Sequence, residues 1–129
     1  MDNARRMILI GSVLGFLSVA IGAFGAHALK QTLEVNQTSV IFETGVHYQM
    51  GHALAILILA SLCDRPIESN RLMSVGYLFT SGIIIFSGSL YAYALTRTLI
   101  FAIVTPLGGL AFLTGWAVLA FTASKPRSA

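Results

Sequence analysis

The sequence predicts an all-α membrane protein, a bundle of four antiparallel transmembrane helices with both termini cytoplasmic. Three observations predict it. Hydrophobic residues make up 56% of the 129 residues and charged residues only 10%, against ~25% charged in a soluble domain. The apolar residues collect into four runs. The charges collect between the runs, where they set topology rather than cover a surface. A chain of this length makes one domain.

The first span is drawn at about residues 7–26, a run without charge that follows Arg5 and Arg6. At ~1.5 Å per residue it crosses a ~30 Å hydrocarbon core. Arg-Arg ahead of an apolar run, with Ala26-His27-Ala28 behind it, imitates a signal peptide. The run is too long for a 7–15 residue signal core, and three more spans follow. Gly11, Gly15, Ser18, Gly22 and Gly25 recur at spacings of three and four, a small-residue stripe that lets membrane helices approach closely.

The segment from His27 to Ile41 is the longest connection. Leu29 and Leu33 share a face, with Lys30, Gln31, Glu34 and Asn36 off it, which predicts a short amphipathic helix at the membrane surface. Ser39 is the expected N-cap of the second span. That span is drawn at about 44–62, the third at about 72–95 and the fourth at about 99–121. Thr96-Arg97-Thr98 is short enough to make the last two antiparallel neighbours. Pro106 lies inside the fourth.

Orientation follows from the cations. Arg5, Arg6, Arg65, Arg71, Lys125 and Arg127 fall on one side, Lys30 and Arg97 on the other. The positive-inside bias places the first group in the cytoplasm. The formal charge of +3 therefore gives no reason to expect nucleic acid. Cys63 is the single cysteine, so no internal disulfide and no cysteine-based zinc site can form.

The stretch from Phe42 to His52 stands apart. It places Glu43, Thr44, His47, Tyr48, Gln49 and His52 at the head of an otherwise apolar helix. Ionisable residues inside a membrane are functional candidates, because burying them is costly. Counted from Thr44, His52 lies roughly 12 Å into the membrane. Counted from the other helix ends, Ser18, Ser87 and Thr105 reach the same level. Pro106 frees the carbonyl of Ala102, and that carbonyl, Ser87 and Thr105 are the expected partners of the His52 ring. Nearer the surface, His27, Glu43, His47, Tyr91 and Arg97 are expected to gather. Glu43 and His47 are four apart on one face and, with His27, form a weak candidate for metal ligation. A surface ion pair is the plainer reading.

Several blocks together resemble one family. Gly22-Ala23-Phe24-Gly25-Ala26-His27 is followed by Thr44-Gly45, Tyr48-Gln49, His52 and Leu54-Ala55-Ile56-Leu57. Then come Phe86-Ser87-Gly88-Ser89-Leu90-Tyr91, Thr105-Pro106-Leu107-Gly108-Gly109 and Phe112-Leu113-Thr114-Gly115-Trp116. Spread in this order over all four spans, they resemble the small membrane proteins called domain of unknown function 423. The resemblance implies a multi-pass protein of the bacterial inner membrane, and it brings no reaction, substrate or cofactor. It gives weight to His27, Tyr48, Gln49, His52, Ser87, Tyr91 and Thr105 as a polar seam. Glu43 and His47 lie outside the resembling blocks.

The chain holds no paired carboxylates, no nucleophile beside a base, no phosphate loop and no H-E-x-x-H motif, so an enzyme is not expected. Two classes remain. One is a non-catalytic binding or scaffolding component, self-associating through small-residue faces, whose partners are the bilayer, a lipid ligand or another membrane protein. The other is an oligomeric transporter or channel for a proton or small solute, with His52 titrating in the path.

Overall fold

The computed structural model describes residues 1–125. Arg127, counted above among the cytoplasmic cations, lies outside the described residues. Every element among them is helical: α1 (Asn3–Ala26), α2 (Lys30–Asn36), α3 (Ser39–Leu62), α4 (Ser69–Gly82), a π-helical turn (Ile83–Ser87), α5 (Gly88–Thr96) and α6 (Leu99–Ser124). α4, the π turn and α5 run on as one rod, Ser69–Thr96. With α1, α3 and α6 it makes four helices long and apolar enough to cross a membrane.

Three of the four rods begin before their apolar runs do, and α6 begins at Leu99 as expected. α3 starts at Ser39, five residues ahead of the expected Thr44, because backbone hydrogen bonding does not stop at the hydrocarbon boundary. Its N-cap is Thr38 rather than Ser39, and it does not cap by side chain. The Thr38 hydroxyl instead donates to the Ala94 carbonyl at 2.7 Å, and the Asn36 amide donates to the same carbonyl at 3.0 Å. Arg97 ends α5 in the left-handed conformation and donates to the Asn36 carbonyl at 2.7 Å. At the other end of the molecule the Asn3 amide donates to Ser69 and Asn70.

The four rods do not close into a ring. α1 packs along α3 and touches α4, while α6 packs along α4, the π turn and α5. No Cα atom of α6 lies within 8 Å of one in α1 or α3. The second and third rods are therefore central, and the first and last are flanking. The main core, formed by Met7, Ile56, Leu59, Leu72, Val75 and Phe79 among others, lies toward the Asn3 end. A smaller cluster of Leu33, Phe42 and Ala94 lies under α2. As expected, α2 turns Leu33 inward, with Leu29 half-buried beside it.

Small residues set the close approaches. Most of the α1 stripe faces α3: Gly11 sits against Leu57, Gly22 against Val46 and Gly25 against Phe42, while Gly15 meets open space. The tightest approach joins Gly108 of α6 to the π turn, where a Cβ would overlap the backbone of Phe86. The π turn carries one residue more than an α turn. Phe86 thereby meets Gly108 of α6 while its neighbour Ser87 donates to the Gly45 carbonyl of α3 at 2.7 Å.

Candidate functional site

Two regions collect the polar side chains of the spans. The first lies between α3 and α6. His52 is 8% exposed. Its ring stacks on Phe112 at 3.7 Å between centroids and meets the edge of Phe79 at 5.1 Å. One ring nitrogen, Nδ1, lies 2.8 Å from the Tyr48 carbonyl. The other, Nε2, accepts from the indole N–H of Trp116 at 3.1 Å. A carbonyl only accepts and an indole N–H only donates. The pair of partners therefore assigns one form of the ring: neutral, with its proton on Nδ1.

These partners differ from those expected. His52 does not meet Ser87, Thr105 or the Ala102 carbonyl. The difference follows from the start of α3. Five extra residues at its head carry His52 roughly 7 Å further along the axis, past the level of the serines and Thr105 and down to Trp116. Ser18 and Ser87 meet α3 higher up, at Val46 and Gly45, and Thr105 shares a 2.7 Å hydrogen bond with Ser89.

The seam continues through Gln49, which is 3% exposed. Its amide donates to the Leu14 carbonyl of α1 at 2.9 Å, and its side-chain oxygen accepts from the Tyr91 hydroxyl of α5 at 2.8 Å. Tyr91, expected both near the surface and in the polar seam, turns inward and ties three helices together with Gln49. Tyr48 packs against Phe86 in a tilted arrangement at 4.6 Å between centroids while 46% of it stays exposed. Among the described residues no buried side-chain nitrogen or oxygen lacks a partner. The sequence reading missed Trp116 as the partner of His52. The signal was there, because a packed indole N–H usually finds an acceptor. It could not say which of several acceptors.

The second region is a cleft of about 500 Å³ bounded by α1, α2 and α3. Gly22, Val46 and Phe42 form its apolar floor, and Lys30, Glu34, Glu43 and His47 stand around it. The expected surface gathering is therefore only partly assembled. Glu43 and His47 share the cleft, but His27 lies on another flank of α1 with Ala23, Phe24 and Ala28. Tyr91 is committed to Gln49, and Arg97 to Asn36. No group of three metal-ligating side chains occurs among the described residues. His27 fails to join Glu43 and His47 because the chain turns away at the end of α1, where His27 is the C-cap.

Comparison with known proteins gives the family. The family described as "Protein of unknown function (DUF423)" matches residues 21–109. The chain is 43% identical over 117 residues to the UPF0382 inner membrane protein YgdD of Escherichia coli K12, covering 91% of this chain and 88% of that one. It is 38% identical over 121 residues to the UPF0382 membrane protein YwdK of Bacillus subtilis 168, covering 94% and 98%. A UPF0382 membrane protein of Haemophilus influenzae is 40% identical over 124 residues, covering 96% and 98%. No solved structure matches. With four helices able to span a membrane and relatives alike along nearly their whole length, this chain belongs to the DUF423 family of integral membrane proteins.

Proposed function

We propose that the protein is a non-catalytic binding or scaffolding component of the bacterial inner membrane, its four rods antiparallel and both termini cytoplasmic. The polar seam then holds the helices in register and carries nothing across. The observation that supports this most is His52, whose two ring nitrogens are both engaged by groups that accept only the neutral ring. A second proton would go on Nε2 and point at the Trp116 N–H, one donor against another. A relay needs a nitrogen free to take up a proton and pass it on, and here both are occupied. Gln49 is likewise spent on both sides. The naming of YgdD as an inner membrane protein and the excess of cations at the Asn3 end support the location and orientation.

Self-association is part of this reading. Gly15, Gly51 and Gly88 face open space and leave small-residue surface for a second copy. The test is proton flux in liposomes loaded with a pH-sensitive dye. Under a potassium-diffusion potential, the wild-type protein and His52→Gln should both match protein-free vesicles. Flux through the wild type that His52→Gln abolishes would overturn the proposal in favour of a transporter.

A further inference from the structure

We propose that the cleft between α1, α2 and α3 binds the head of a phospholipid bearing a primary amine. This rests on the reading of the protein as a binding component. At about 500 Å³ the cleft falls in the ~300–1,000 Å³ range of small-molecule sites. Its depth suits an amphiphile. Ser39 opens α3 at the mouth, and Val46 lies seven residues further, roughly 10 Å along the axis. Its lining combines the charged Lys30, Glu34 and Glu43 with the apolar Phe42 and Val46.

The charges select the head. Lys30 and Glu34 are paired at 3.9 Å across exposed side chains, and such a pair is weak. Glu43 has no ion pair among the described residues, so one carboxylate on the wall is unmatched and favours a cation. Ser39 stands at the positive end of a 24-residue helix and, with Lys30, favours an anion. A cation and an anion a few ångströms apart on one ligand describe an aminoalkyl phosphate. The apolar floor calls for the hydrocarbon of a lipid rather than a free head. His47, one turn further along α3 than Glu43, lines the same cleft.

The test uses the full-length protein in mixed micelles, with retained lipid counted by native mass spectrometry. Phosphatidylethanolamine should be retained at least tenfold over phosphatidylglycerol, which has the phosphate without the amine. Phosphatidylcholine, whose amine has no N–H, should fall between them. Glu43→Gln should bring phosphatidylethanolamine down to the phosphatidylglycerol level. Ala26→Phe should do the same by filling the cleft. If Ala26→Phe does not fold, Glu43→Gln decides, because that exposed side chain makes no hydrogen bond or ion pair in the structure. Equal retention of phosphatidylethanolamine and phosphatidylglycerol, or no effect of Glu43→Gln, would overturn the proposal. Displacement by an equal concentration of soluble phosphoethanolamine would overturn the lipid assignment. The dye assay decides the parent reading separately: absence of flux with no lipid preference leaves a scaffold without this site.

Discussion

The two polar regions of this protein handle charge and hydrogen bonding in opposite ways. Between α3 and α6, His52 and Trp116 satisfy each other inside a stack of aromatic rings. Every buried polar atom there is answered, the His52 ring by the Tyr48 carbonyl of its own helix and by Trp116 of α6. Between α1, α2 and α3, Glu43 and His47 stand beside a cavity that other side chains leave unfilled. An answered seam adds stability and specifies register. An unanswered group beside a cavity does neither, and is a better place to look for a ligand. The most conspicuous ionisable residue inside a span is thus, by its contacts, a fastener, while less conspicuous ones line the space.

Mutations can break this contrast at several strengths. The largest effect is expected at Gly108, where the backbones of α6 and the π turn meet. Gly108→Leu should cost about 3 kcal/mol or more, seen as a steep fall in thermal midpoint in detergent. An unchanged midpoint would mean that α6 does not seat on Phe86. Next is His52→Leu, which leaves the Trp116 N–H without an acceptor and removes a ring stacked on Phe112. About 1–3 kcal/mol should be lost, and indole fluorescence should shift. His52→Gln should recover part of it, and equal losses in the two variants would argue against the hydrogen bond. Gln49→Leu should cost about 1–2 kcal/mol. Its double-mutant cycle with Tyr91→Phe should show a coupling of about 0.5 kcal/mol or more, whereas strict additivity would separate the two residues. The smallest effect belongs to the cleft. Glu43→Gln should move stability by no more than about 0.5 kcal/mol. A large loss there would erase the distinction between the regions.

Much of this was legible in the residues. The four runs and the α2 face made by Leu29 and Leu33 could be read from spacing. So could the small-residue stripe of α1, since Gly11, Gly22 and Gly25 do lie against α3. The depth of His52 could not. Counting from Thr44, the first residue after the charge of Glu43, sets it too high, whereas the helix begins at Ser39 under the hold of Asn36 and Thr38 on the Ala94 carbonyl. Those bonds join residues more than fifty positions apart, and no local pattern announces them. The π turn was equally hidden. Nothing in the pattern of residues 72–95 marks it, yet the helix runs through Gly82, Ser87 and Gly88 by widening one turn.

Sequence alone determined that this chain lives in a membrane and has four helices long and apolar enough to cross it. A bilayer can neither hydrate charges nor satisfy bare backbone, so composition and run length suffice for that conclusion. Only the tertiary structure decided which polar groups answer one another. A hydrogen bond such as that from Trp116 to His52 depends on ångström-scale offsets along and around the helices. Those offsets are set by packing at Gly11, Gly45 and Gly108, which no single helix contains.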